Sequence, residues 1–332
     1  MPSSKMGIAS ALLMVCASLC SACGSTTVDQ VTGAVVIDYV DRYAIDAEGA
    51  EWAQARDEFL KEVGPQPVAF NSYPALEHLV RLAGGRHSRL IVPGRGNSQP
   101  PRPPIARTSL STIGGVGIVT VPGDADRSEQ EVIADSRRLA AQIVREQPSR
   151  CGWIVDLRNN AGGSVPNTLI GLAPLLPRGD AVVLKDRNGV HRTAYTITGE
   201  GVVASPWPPP LDPHQSPISA FHLTSGVSAP DSVTSPIAVL QNAGTGSAGE
   251  ALTLAFKDLS NARSFGTPTA GYSSGNVAEP LPGGATLILT VSVMATRTGR
   301  DFAGGPIPPD VLVSEDETLL SAQQWIRRRG CN

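Results

Sequence analysis

The sequence predicts an α/β protein: a mixed β-sheet core with flanking helices, an N-terminal helical subdomain and a β-rich C-terminal part. Three observations carry this. Between Val116 and Asp258, short apolar runs alternate with segments of helical period, the pattern of strands connected through helices and covered on both faces. From Val31 to Leu82 apolar residues recur three and four apart, and Ala285–Thr296 reads as a long strand. With 332 residues the chain has length for about two domains. Hydrophobic residues at 41% against 17% charged exclude an unstructured polymer. A net charge of −3 with no Lys/Arg stripe sets nucleic acid aside as a partner.

Taken in order, residues 1–22 carry Lys5, an apolar run from Met6 to Leu19 and small residues, the layout of a signal peptide whose apolar part is short for a membrane span. Ala22-Cys23-Gly24 followed by Ser25 resembles a bacterial lipoprotein junction, so Cys23 is the expected lipidation site and 23–30 an anchor and linker. That places the protein outside the cytoplasm, at the cell surface or in the periplasm, held to the membrane by an N-terminal lipid. The C-x-x-C of Cys20 and Cys23 lies in the targeting segment and is neither a zinc nor a redox motif. Cys151 and Cys331 can form one disulfide in an oxidising exterior; a buried Cys151 with a free tail thiol is equally open.

Residues 31–92 read as the helical subdomain. Val36, Tyr39, Val40, Tyr43, Trp52, Ala55 and Phe59 follow helical spacing over 31–63, and a second run spans Ala75 to Leu82. Gly84-Gly85 stops that helix, and 86–92 follows as an extended strand. Prolines and glycines make 93–107 a linker. Within a core domain over 108–318, strands are expected at 116–121, 152–157 and 237–241 and helices at 128–146, 166–176 and 248–258. The stretch 201–216 is a Pro-rich excursion and 319–332 a C-terminal tail.

Gly244-Thr245-Gly246-Ser247-Ala248-Gly249 spells G-x-G-x-x-G between a strand and a helix, yet no Asp or Glu stands at the strand end about 20 residues on, so a dinucleotide site is rejected. The segment does place Ser247 at a helix N-terminus, where free N–H groups and the positive helix end can stabilise a negative oxygen. Ser247 is therefore either a nucleophile or the cap of a Ser-x-x-Glu box closed by Glu250, worth about 1 kcal/mol. All five histidines, at 78, 87, 191, 214 and 222, precede Ser247, which excludes the Ser, acid, His order of α/β-hydrolases and leaves a His-first order open. Ile154-Val155-Asp156-Leu157-Arg158-Asn159-Asn160-Ala161-Gly162-Gly163 is a buried strand running into a glycine-rich turn. Such a turn is an ordinary strand-to-helix connection or a backbone oxyanion site. No metal-ligand spacing such as H-E-x-x-H occurs, and no cofactor is called for.

"IVDLRNNAGG", "GTGSAGE", "SFGTPTAGY", "LPGGATLILT" and "GGPIPPDVLV", in that order and spacing over about residues 31–315, resemble the tail-specific or C-terminal-processing serine peptidases. The resemblance implies a ClpP/crotonase-like sheet core and a peptide or protein substrate. Ser-Lys members carry lysine in the "TAG" turn; here Thr269-Ala270-Gly271 is followed by Tyr272, and Lys257 reads as a solvated charge on the helix of Ser247. The branch without that lysine, which includes the nisin-resistance protein, uses a Ser-His pair with its histidine in a "GHS"-like segment. Gly85-Arg86-His87-Ser88 is similar to it, and there is no room for a PDZ-like insertion between His87 and the strand at 116.

What this implies is a serine endopeptidase acting near the tail of a peptide through an acyl-enzyme, with Ser247 as nucleophile and His87 as general base. Ala248 and Gly162 or Gly163 would donate to the oxyanion, and Asn160, Ser164, Tyr272 and Asn276 would line the substrate path. Glu250 is expected only to close the capping box. A lantibiotic-like peptide is the narrower substrate class that the branch implies. The same fold also occurs in retinoid-binding repeats that cleave nothing, so a non-catalytic peptide- or lipid-binding module is the alternative.

Overall fold

The computed structural model describes residues 31–94, 107–124, 127–212 and 221–331. The expected signal peptide over 1–22, the expected lipidation site Cys23 and most of the 93–107 stretch expected as a linker lie outside them. Among the described residues are seven α-helices and two β-sheets.

Helices α1 (Gly33–Tyr43), α2 (Gly49–Glu62) and α3 (Tyr73–Gly84) form the N-terminal layer. The single periodic run expected over 31–63 is two helices, separated at 44–48, where Ala44 turns extended and the backbone of Asp46 bonds to Ala83 of α3 instead of continuing its own helix. Gly85 ends α3 at φ 64, a conformation that costs glycine little. The expected strand over 86–92 is shorter: a 3-10 turn holds Gly85–His87, and only Arg89–Ile91 is strand β1.

β1 decides where the N-terminal layer goes. It pairs antiparallel with β12 (Thr286–Thr296), Leu90 facing Leu287. The helical layer and the C-terminal strands therefore share one core, in which Val36, Trp52, Leu76 and Leu79 pack with Leu287, Leu289 and Val291. Along with β12 and β1, this first sheet contains β5 (Gly179–Lys185), β6 (His191–Ile197), β7 (Gly201–Ala204), β8 (Phe221–Thr224) and β11 (Ser274–Pro280), all antiparallel to their neighbours. The Pro-rich excursion thus begins as a strand, β7.

The second sheet has the order β13 (Val311–Leu312), β10 (Ala262–Gly266), β9 (Ile237–Gln241), β4 (Gly152–Asp156), β3 (Val116–Thr120), β2 (Ser109–Ile113), parallel throughout except for β2. Its central strands are apolar at successive positions because both faces are covered. Trp153 and Val155 of β4 point to α4 (Glu129–Glu146), α5 (Val165–Leu172) and α6 (Ala248–Lys257), while Ile154 points to α7 (Glu315–Arg327). α4 starts on a complete capping box, Ser128 with Glu131. α7 runs into the segment 319–332 and buries Ala322 and Ile326, four residues apart on one helical face. Just beyond it, Cys331 is bonded to Cys151, which stands before β4, and the disulfide fixes the helix end to the sheet.

Candidate active site

β4 and β9 are adjacent parallel strands, Asp156 facing Leu240, so the turns that leave their C-terminal ends meet. Asn242 ties them together from a buried position. Its Oδ1 accepts from the N–H groups of Asn159 and Gly244, both at 3.0 Å, and its Nδ2 donates to Asn159 Oδ1 at 3.1 Å and to Glu315 Oε1 of α7 at 2.7 Å. Thr245 Oγ1 donates to the Leu157 carbonyl at 2.8 Å, and the Gly246 N–H to that of Asn160 at 2.8 Å.

These ties hold Ser247 at the head of α6 with φ 51 and ψ −113, where a residue with a side chain is strained. Gly162 lies directly against it: a Cβ added there would stand 2.9 Å from Ser247 Cβ and 3.4 Å from its Oγ, and Gly162 itself has φ 120. The glycine-rich turn is thus shaped around the serine. The Ala248 N–H, the first of α6, and the Gly163 N–H have no acceptor among the described residues. The Gly162 N–H is donated to Asn160 Oδ1 at 3.1 Å, so of the two expected glycine donors Gly163 is the one left free.

Glu250 is fully buried and does more than close a cap. Its carboxylate accepts from the Ser247 N–H at 2.8 Å and, from the turn after β10, the Gly271 and Tyr272 N–H groups at 2.7 Å each and the Thr269 hydroxyl at 2.5 Å. Burial holds this carboxyl above its usual range, and the four donors offset only part of that rise. The Ala270 N–H adds a bond to the Thr245 carbonyl at 2.8 Å, so the turn before Ser247 and the "TAGY" turn are one unit.

His87 reaches this unit from the N-terminal layer. Its ring meets Tyr272 edge to face, centroids 5.0 Å apart, and Nδ1 lies 2.9 Å from Ser274 Oγ at the start of β11. Arg86 lies over the Tyr272 ring, 4.3 Å from its centroid, and donates to the Ala270 carbonyl at 3.0 Å and to that of Gly271. Burial, followed by the charges of Arg89 and Arg86, lowers the imidazole to about 4. Arg86, His87, Gly271, Tyr272, Ser274 and Asp46 line a cavity of about 160 Å³. Ser247 is thus tied to the segment 271–274 through Glu250, and His87 meets the same segment at Tyr272 and Ser274, with no hydrogen bond joining the two.

The remaining expected residues separate. Asn160 is buried, its amide bonded at both ends, Nδ2 to the Val121 carbonyl at 3.0 Å and Oδ1 to the Gly162 N–H, and so it braces the turn. Ser164 caps α5, accepting from Asn167, and its own N–H goes to Asp124 Oδ1 at 2.9 Å. Asn276 is exposed on β11 and accepts from Thr290 Oγ1 at 2.8 Å. Lys257 is not a solvated charge. Its side chain is 3% exposed and pairs with Asp310 Oδ1 at 2.8 Å, with further bonds to Ser264 and Pro308. Asn242, Asp124 and Ser274 carry no motif of their own in the sequence, whereas Glu250 was visible in the Ser-x-x-Glu spacing with its second role hidden. Among the described residues no group of three His, Cys, Asp or Glu could hold a metal, and no helix is long and apolar enough to cross a membrane.

A serine on a strained turn at a helix head, between two glycine-rich turns on a two-sheet α/β core, is the arrangement of a serine-type peptidase, and the comparisons place the chain in that class. It belongs to Peptidase family S41, matched over residues 115–313. The nisin-resistance protein of Lactococcus lactis subsp. lactis is 26% identical over 294 residues, covering 88% of this chain and 85% of that one. The chloroplastic C-terminal processing peptidase of Tetradesmus obliquus is 29% identical over 160 residues, 48% of this chain and 28% of that protein. Among solved structures, a lipoprotein from Streptococcus agalactiae superposes with a TM-score of 0.68 at 26% identity, over 90% of this chain and 95% of that one. The photosystem II D1 C-terminal processing protease shares the fold, with a TM-score of 0.56 at 18% identity over 86% and 94%.

Proposed function

We propose that this chain is an exported serine endopeptidase that cuts near the C-terminal tail of a peptide, with Ser247 as nucleophile and His87 as its general base. The observation that carries the reading is the strained Ser247 at the head of α6, packed on a glycine that admits no side chain. In the proposed cycle His87 takes the Ser247 proton as Oγ bonds to the scissile carbonyl carbon, and the Ala248 and Gly163 N–H groups receive the oxyanion. The intermediate collapses by expelling the amine, which leaves with the proton from His87. Water then repeats the sequence on the acyl-enzyme, releasing the acid and restoring Ser247. Closing the gap between His87 and Ser247 needs a movement of the ring or the turn on substrate binding, as apo sites of this kind commonly do.

In this reading residues 108–318 are the peptidase core, with a ClpP/crotonase-like sheet, and 31–92 is a helical subdomain that contributes the base. Cys23 carries the lipid that holds the protein at the outer face of the membrane, a reading supported by the Ala22-Cys23-Gly24 junction and by the likeness to a streptococcal lipoprotein. A relative named for nisin resistance supports a lantibiotic-like peptide as substrate. The test is labelling with a serine-directed phosphonate, read by intact mass for the wild type, Ser247→Ala and His87→Ala. One adduct, lost in both variants, is the expected result. A wild type that takes no adduct and cleaves no peptide library between pH 6 and 9 would move the reading to the binding module on the same fold.

A further inference from the structure

We propose that Ser274 is the positioning residue of the catalytic base: its hydroxyl accepts the Nδ1 proton of His87 and so keeps the lone pair on Nε2, the nitrogen that must take the proton of Ser247. The inference rests on the Ser-His reading above and names the third group that reading lacks.

Three observations carry it. The His87 Nδ1 to Ser274 Oγ separation is 2.9 Å, within a normal hydrogen bond, and among the described residues this is the one polar partner of the ring. Ser274 is 7% exposed and stands on β11, held to β12 with Ser274 facing Val293, so its Cβ cannot follow a moving ring. Tyr272, two residues earlier on the same chain segment, meets the ring edge to face at 5.0 Å and fixes its plane. One short segment, Tyr272-Ser273-Ser274, therefore sets both the tilt and the tautomer of the imidazole. Its start is bonded through the Tyr272 N–H to Glu250, which also holds the Ser247 N–H, so base and nucleophile are referred to one buried carboxylate.

A hydroxyl in this place has a consequence that a carboxylate would not. It orients the ring without adding a negative charge beside it. The charged and titratable groups around the imidazole are Arg86 and Arg89, on its own segment, Tyr272 across the contact, and Asp46, which lines the same cavity. Burial and the two guanidinium groups hold the imidazole down, to about 4, and with a neutral orienter the base stays unprotonated well into the acid range.

The experiment follows phosphonate inactivation of the full chain as a function of reagent concentration and pH, for wild type, His87→Ala, Ser274→Ala, Ser274→Thr and Ser274→Asp. Ser274→Ala is expected to lower the limiting inactivation rate roughly 10- to 100-fold with the concentration for half-saturation unchanged, as loss of a correctly oriented base requires. Ser274→Thr keeps the hydroxyl and restores the rate to within a few fold. Ser274→Asp, by placing a carboxylate on Nδ1, moves the acid limb of the rate upward by more than one pH unit. If His87→Ala abolishes labelling while Ser274→Ala keeps the wild-type rate and Ser274→Asp leaves the acid limb in place, the role of Ser274 is refuted and the Ser-His reading stands. If His87→Ala labels as fast as wild type, both fall.

Discussion

Replacing Glu250 by Gln puts the most weight on the site as described. Each carboxylate oxygen serves two donors: Oε1 takes the Thr269 hydroxyl and the Gly271 N–H, and Oε2 the Ser247 and Tyr272 N–H groups. A glutamine amide offers one oxygen and one NH₂ in the same space. With NH₂ on the Oε2 side, two backbone donors lose their acceptor. With NH₂ on the Oε1 side, the Gly271 N–H loses its acceptor, and the Thr269 hydroxyl, which already accepts from the Ile307 N–H at 2.8 Å, can take the NH₂ only by leaving its own proton unpaired, so either orientation orphans two donors. Two orphaned buried donors cost about 1–3 kcal/mol each, and the bonds that remain turn from charge-assisted to neutral at a further fraction each, so the loss comes to about 4 kcal/mol. Urea unfolding of the purified chain, wild type against Glu250→Gln, reads it as a lower midpoint at unchanged slope. A variant within about 0.5 kcal/mol of wild type would mean that the group is already a neutral acid in the folded protein and that the carboxylate with four donors is wrong.

Three further outcomes are expected. Gly162→Ala forces a Cβ to 2.9 Å from that of Ser247 at φ 120; it should cost about 1–3 kcal/mol and slow phosphonate labelling by about 100-fold, and a wild-type labelling rate would refute the close approach. The unfolded His87 takes a proton near its ordinary pKa of 6.5 and the folded one only near 4. The labelling rate should therefore hold from neutral pH down to about 4, while this group's contribution to stability falls as pH drops between those values; loss of labelling already at pH 6 would contradict the buried imidazole. Reducing the Cys151–Cys331 bond, which closes a separation of 180 residues, should lower stability by about 5 kcal/mol on chain-entropy grounds, seen in unfolding curves with and without reductant; coincident curves with both thiols titratable would show that the end of α7 needs no staple.

Much of the parallel sheet was legible because its cause is local. β9 falls on Ile237–Gln241 as expected, and the strands at 116 and 152 and the helices from Ser128 and at Ala248 differ from expectation by a residue or two at their ends. Apolar runs buried on both faces and Ser-x-x-Glu starts are written in neighbouring residues. The same is true of the glycines at 162 and 163 and of Ser247 after a strand. Where expectation missed, a distant contact had intervened. Asp46 bonding to Ala83 splits the first helical run, Asp310 turns Lys257 from a surface charge into a buried ion pair, and Glu250 gains three of its four donors from the turn at 269–272.

By itself the sequence determined the α/β class, the succession of strands and helices in the core, a serine at a helix head and a glycine-rich turn after a strand, since each follows from periodicity or from backbone preferences within a few residues. It also excluded a Ser, acid, His order, since every histidine precedes Ser247. Tertiary structure alone decided that β1 pairs with β12 and thereby carries His87 to Tyr272 and Ser274, that the Asn160 amide bonds to Val121 and Gly162, and that Cys331 meets Cys151. These are contacts between residues up to about 200 positions apart, fixed by strand register and by the burial of two shared cores, and no local pattern encodes a register between segments so far apart in the chain.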